Sequence, residues 1–181
     1  IGGIPLSEYS KEAIIKNISF VFQEAKLFKT SIYENVALAK KDAAYEEVMQ
    51  AMRLAGCESI IEKFADAENT VIGSKGVYLS GGEKQRIAIA RSILKDSNII
   101  IMDEASASID PDNEYELQKA FKNLMKGKTV IMIAHRLSSI RNVDEILVLE
   151  EGKIVERGTD KDLMSKDSRY KTLQELYDIA N

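Results

Sequence analysis

The sequence predicts an α/β fold built on a largely parallel sheet, and three observations carry that expectation. Ile99-Ile100-Ile101-Met102 is an unbroken apolar run of strand length, which fits a strand buried on both faces. Thr129 to Ala134 reads as a second buried strand. Beyond residue 95, strand patterns alternate with helical ones, as in a parallel sheet with crossover helices.

Taken in order, Ile1 to Leu6 reads as a strand end and turn, and Ser10 caps a short helical turn through Lys16. Asn17 to Phe22 alternates before Val21-Phe22 and predicts a strand ending at Gln23, with a loop from Glu24 to Lys29. Thr30 or Ser31 caps a helix through Ala39. Asp42 caps the next, which runs to Ala55 and closes at Gly56. Val48, Met49, Met52 and Ala55 fall on one face of it. Glu58 to Phe64 is a short helix, and Ala65 to Tyr78 is loop-like, with Gly73 and Gly76 around Ser74-Lys75. Ser80-Gly81-Gly82 then opens a helix that continues without Gly or Pro to Leu94. Ser97-Asn98 turns into the strand Ile99 to Met102. Asp110-Pro111 starts a helix to Lys126, stopped by Gly127. After the strand Thr129 to Ala134, ending at His135, come a short helix from Ser138 to Arg141 and a strand from Glu145 to Leu149. Glu151-Gly152 turns that strand back into Lys153 to Glu156 as an antiparallel hairpin, and two amphipathic helices near Lys161 and Ser168 finish the chain.

Composition bounds the function. The 181 residues suffice for one domain with a real core, at 45% hydrophobic and 30% charged residues. No apolar run is long enough to span a membrane as a helix. A net charge of −4 gives no electrostatic footprint for nucleic acid. The single Cys57 makes no internal disulfide and no cysteine-based metal site. The chain opens on Ile1 and is expected to be a piece of something longer.

Several residues are chemically suggestive. Ser80-Gly81-Gly82 lies at a helix N-terminus, where unspent N–H groups and the helix dipole favour an anion and glycines allow close approach. Read alone, it is better taken as an ordinary serine cap in a tight turn. Asp103 follows the buried run at a strand end, where a carboxylate holds Mg²⁺ directly or through water. Adjacent Glu104 is placed to orient or deprotonate an attacking water. Alone, the two are also a pair of solvated acids at a loop start. His135, the only histidine, ends the next strand, where it serves either as a structural residue or as a donor to a phosphate at the same sheet edge. Gln23 offers an amide oxygen to a metal or a water at the end of an earlier strand.

Together and in this order, Val21-Phe22-Gln23-Glu24, Leu79-Ser80-Gly81-Gly82-Glu83, Ile99 to Glu104, Ala107-Ser108-Ile109-Asp110 and Ala134-His135-Arg136 resemble a known set. They are similar to the Q-loop, signature, Walker B, D-loop and H-loop motifs of an ABC transporter nucleotide-binding domain. Leu27-Phe28, Thr30 to Val36 and Gly152 to Thr159 resemble the exporter subtype. The resemblance covers nearly the whole chain. It implies a P-loop NTPase (RecA-like) parallel-sheet core, with residues 1–29 and 96–181 forming the core and about 30–95 a helical subdomain carrying the signature. It also implies ATP and Mg²⁺ as ligands. Asp103 would bind Mg²⁺ through water, and Glu104 would act as general base or polarise the attacking water. His135 would contact the γ-phosphate, and Gln23 would sense Mg²⁺ and water and couple the site to a membrane domain. Ser80, Gly81 and Gly82 would close over a γ-phosphate bound to the opposite subunit, with Asp110 at the dimer seam. The implied partners are a second nucleotide-binding domain and transmembrane domains, at the cytoplasmic face of a membrane, without nucleic acid.

The sequence departs from the family pattern in places. No G-x-x-x-x-G-K-S/T occurs: Gly76 to Gly81 has the glycine spacing, but Gly82 stands where lysine is needed. The chain is therefore expected to lack the phosphate loop and the N-terminal strands, and to bind ATP weakly by itself. The missing strand is expected to lie between those of His135 and Glu145, leaving unpaired backbone and apolar faces. Glu83 stands where the signature commonly has Gln. Ser74 replaces the glutamate usual in the exporter X-loop, which weakens the expectation of coupling through that loop. Chromosome-maintenance and DNA-repair ATPases share these motifs, but they insert long coiled coils where residues 24–78 are compact and lack sustained heptads. A non-catalytic module using the same dimer surface is the third reading, and the presence of Glu104 and His135 argues against it.

Overall fold

The computed structural model describes residues 1–73, 77–103, 111–134 and 140–180. The chain divides into two compact units, Ile1–Ile133 and Ala134–Asn181.

The first unit opens with α1 (Lys11–Asn17), capped by Ser10 Oγ, which accepts from Ala13 N at 3.1 Å. Asn17 closes this helix by donating to Ala13 O at 2.8 Å, so β1 spans Ile18–Val21 rather than starting at Asn17. Four helices follow before the next strand: α2 (Ile32–Ala37), α3 (Tyr45–Leu54), α4 (Glu58–Ile61) and α5 (Gly81–Lys95). Ser31 is the α2 cap in a reciprocal capping box with Glu34. The expected Asp42 cap of α3 is not found. Asp42 takes a left-handed turn (φ 59°), a conformation Asp tolerates, and the helix begins after Ala44. The Glu47 carboxylate accepts the Ala44 N–H at 2.9 Å, so the cap comes from within the helix. Gly56 stops α3 as expected, at φ 67°. A β-carbon there would also stand 2.9 Å from Glu116 Oε2.

The remaining strands of this unit are β2 (Ile99–Asp103) and β3 (Thr129–Ile133), separated by α6 (Pro111–Met125). The sheet is all parallel in the order β1-β2-β3. Val21 pairs with Met102, and Asp103 pairs with Ile133, so the carboxyl ends of all three strands share one edge. The core lies where α2, α3, α5 and α6 pack together and against one sheet face. Ile32, Val36, Val48, Met52, Ile60, Ile87, Ile89, Ile100, Leu117 and Leu124 are all at most 1% exposed except Leu117 at 2%. Each such side chain contributes roughly 1.5–3 kcal/mol of burial.

The strands are not buried on both faces, contrary to their apolar runs. In β2 only Ile100 and Met102 are buried, and Ile99 and Ile101 are half-buried. In β3 Ile131 and Ile133 are 53% and 52% exposed, and across the sheet Phe20 and Phe22 stack in the open at 5.8 Å between centroids. Helices cover one face. β3 has no further ladder partner among the described residues.

The second unit is a hairpin of β4 (Ile146–Glu150) and β5 (Lys153–Gly158), followed by α7 (Asp160–Met164) and α8 (Arg169–Ala180). Glu151 and Gly152 both have positive φ, which makes the two-residue turn whose twist suits a hairpin. Ile146, Val148, Leu163 and Tyr170 form a small core. The Tyr170 hydroxyl donates to Asp160 at 2.7 Å, and burial first, then this bond, pushes its pKa up to about 12. Of the helix expected from Ser138 to Arg141, Ser138 and Ser139 lie outside the described residues.

Two outcomes follow. Ile131→Lys, on the open sheet face, is expected to lower self-association in light scattering while changing stability by no more than ~0.5 kcal/mol. Cys57 is fully buried and its thiol is pushed up to about 12, so iodoacetamide at neutral pH is expected to label it only in denaturant; labelling of the native chain would contradict this packing.

Candidate phosphate site at the head of α5 and the sheet edge

Helix α5 begins where the sequence places it. Ser80 is the cap: its Oγ accepts from Glu83 N at 3.2 Å, and Glu83 Oε2 accepts from Ser80 N at 2.7 Å. Lys84 N donates to Ser80 O at 3.0 Å. The N–H groups of Gly81 and Gly82 meet no acceptor among the described residues. Ser80 and Gly81 are exposed, and a β-carbon at Gly81 would have no heavy atom within 4 Å. Gly82 is buried, so the first turn presents the Gly81 donor and the positive dipole end at the surface, with the Gly82 N–H behind them.

Glu83 is buried although it is a carboxylate. Burial pushes its pKa up, but a close ion pair with Lys63 and the Ser80 N–H outweigh burial and hold it below the ordinary carboxylate range. The Lys63 side chain is 55% exposed.

At the sheet edge, Gln23 is exposed just past β1 and Asp103 is half-buried at the end of β2. Among the described residues, no group of three or more His, Cys, Asp and Glu is placed to hold a metal. One carboxylate and one amide at adjacent strand ends fit Mg²⁺, which keeps waters and shares phosphate oxygens rather than entering an all-protein cage. Glu104, Asp110 and His135 lie outside the described residues.

Sequence reasoning missed what joins these two places. Gln85 Nε2 donates to Phe22 O at 3.1 Å, one residue before Gln23, and Lys95 Nζ donates to Ile18 O at 2.6 Å at the other end of β1. Arg91 donates to Asn35 O at 2.8 Å, to Asn35 Oδ1 at 3.0 Å and to Lys26 O at 3.3 Å, with its guanidinium 5.6 Å from the Phe28 ring centroid. Burial pulls the Arg91 pKa down, but an arginine stays charged. Asn35, fully buried, accepts from Phe28 N at 2.8 Å and donates to Phe28 O at 3.1 Å and Ser31 O at 2.9 Å. These bonds fasten the segment after Gln23 to α2 and α5. The only hint in the sequence was polar residues inside a helix otherwise rich in apolar ones. Their partners are 56 to 77 residues away.

Parallel strands with polar residues at their carboxyl ends, beside a glycine-opened helix, define an α/β protein of the kind that takes its ligand at one sheet edge. The family model described as ABC transporter matches residues 1–107 of the 181. An ATP-dependent lipid A-core flippase of Legionella pneumophila (strain Paris) is 41% identical over 176 residues, covering 97% of this chain and 30% of that protein. The corresponding flippase of Pasteurella multocida is 43% identical over 177 residues, with 97% and 30% covered. ABC transporter B family member 14 of Arabidopsis thaliana is 41% identical over 181 residues, covering 99% of this chain and 14% of that protein. The chain belongs to the ABC transporter family, as its ordered motifs led us to expect, and its fold is of the P-loop NTPase class. It spans less than a third of the length of these curated relatives.

Asn35→Ala removes both sides of the clasp at once and strands the Phe28 N–H, the Phe28 C=O and part of the Arg91 fork. A loss of roughly 2–4 kcal/mol is expected in urea unfolding, with faster amide exchange over residues 24–30 than over α5.

Proposed function

We propose that this chain is part of the ATP-binding and ATP-hydrolysing motor domain of an ABC exporter, in which hydrolysis drives export of a substrate across a membrane. The observation that carries the reading is the head of α5: a serine-capped, glycine-opened helix start with Ser80 and Gly81 exposed, in a family member, tied through Gln85 to the strand end that bears Gln23. In this reading Ser80, Gly81 and Gly82 receive the γ-phosphate of a nucleotide held by a second nucleotide-binding domain, and Asp110 lies at the seam between the two. Asp103 and Gln23 hold Mg²⁺, which when bound neutralises phosphate charge. Glu104 accepts a proton from, or orients, the attacking water. His135 donates to the γ-phosphate as its charge grows. This is catalysis by positioning and electrostatics. Residues 1–29 and 96–181 belong to the RecA-like core, and about 30–95 to the helical subdomain. The remaining partners are transmembrane domains, and the domain works at the cytoplasmic face of the membrane without nucleic acid. By itself the chain is not ATPase-competent, since none of its residues form a lysine-bearing phosphate loop.

The test is made on the chain and on the full-length protein carrying it. Calorimetric titration of the chain with MgATP is expected to show no micromolar binding. The full-length protein is expected to hydrolyse ATP, and Glu104→Gln to lower kcat by about 100-fold or more without loss of ATP binding. Undiminished turnover in Glu104→Gln would overturn the assigned role.

A further inference from the structure

Glu83 creates an electrostatic problem at the head of α5. In a capping box the third helical residue turns back to the cap, and a carboxylate there strengthens the helix. It also places a buried negative charge within two residues of the Gly81 and Gly82 N–H groups. A like charge so near opposes an arriving phosphate, and burial leaves little water to screen it. The family pattern commonly has a neutral glutamine at this position.

Lys63 answers the charge. Its ammonium pairs with Glu83 Oε1, while Glu83 Oε2 remains on Ser80 N at 2.7 Å. No other ion pair to Glu83 is found among the described residues. The lysine is delivered by the turn that follows α4. In that turn Lys63 N donates to Ile60 O and Phe64 N to Ile61 O. Ile60, fully buried, and Phe64, packed on the core, fix the turn against the body of the unit. Lys63 belongs to this anchored turn and its side chain is more than half exposed, so its ammonium meets the carboxylate at the solvent boundary.

We propose that Lys63 is a positioning residue for the phosphate site: by neutralising Glu83 it makes the Ser80–Gly82 end equivalent to one built with glutamine, and keeps it receptive to a polyphosphate. Lys63 acts through Glu83 and does not touch the nucleotide. The two residues form one unit, and substituting the lysine matters only while the glutamate is charged.

This rests on the proposed function, and the experiment separates the two. In the full-length transporter, Lys63→Met is expected to raise the KM for ATP about tenfold while kcat stays within about threefold. Lys63→Arg, which keeps the charge, is expected to restore KM to within about threefold of the parent. In a Glu83→Gln background, Lys63→Met is expected to shift KM by less than about twofold, because the charge it compensated is gone. If Lys63→Met does not fold alone, the comparison of Glu83→Gln with the Lys63→Met/Glu83→Gln double variant decides. A tenfold KM rise on adding Lys63→Met to Glu83→Gln, or no rise when it is added to the parent, overturns the proposal. Ser80→Arg serves as the separate control. If it leaves ATP turnover untouched, the phosphate-site reading itself fails. If it abolishes turnover while Lys63→Met leaves KM unchanged, only the role of Lys63 fails.

Discussion

The first unit depends on the burial of α5. This helix packs against α2, α3, α6 and β1, and Ile87, Ile89 and Ala90 along it are wholly buried. Its polar side chains are as consequential as its apolar ones. A buried amide or ammonium must find a partner or lose its hydration for nothing. Gln85, Arg91 and Lys95 find theirs in backbone carbonyls of β1 and the segment after it. The helix is thereby fixed in register with the strand, not merely pressed against the sheet. Hydrophobic contact alone would allow sliding by a fraction of a turn; directed hydrogen bonds do not.

That registration has a functional consequence. The head of α5 carries Ser80, Gly81 and Gly82, and the end of β1 carries Gln23. Both ends belong to one mechanical body joined at Phe22 O and Lys26 O. Displacement of the segment after Gln23 strains bonds to Arg91 and Asn35, and through them α2. In the proposed function, coupling between the phosphate site and a neighbouring domain would run through these bonds.

The uncovered sheet face is the counterpart of this well-made side. Phe20, Phe22, Ile131 and Ile133 are more than half exposed, although the run that holds Ile131 and Ile133 reads as a buried strand. An apolar run reports that a strand prefers an apolar environment on both faces; it does not supply the layers. In this chain α5 and its neighbours supply one. The same distinction explains α3: an acceptor two residues before a helical run looked like a cap, but the turn claimed Asp42, and Glu47 supplied the missing acceptor from inside the helix.

Local chemistry determined much by itself. The Ser10, Ser31 and Ser80 caps, the Gly56 stop and the Glu151-Gly152 hairpin all depend on residues near in sequence, so the sequence could carry them, and the alternation of strand and helix patterns pointed to the parallel sheet. The ordered motifs also sufficed for the family. Tertiary structure alone decided which strand face is covered, that Arg91 and Asn35 fasten the segment after Gln23, and that Lys63 meets Glu83. These are contacts across 20 to 65 residues between polar groups. Such pairs have no periodicity, and their partners are chosen by how the helices pack. The motif at the head of α5 was legible as a helix start with glycines. Its buried charge, and the cation that balances it, became visible only once the turn after α4 was placed beside the head of α5.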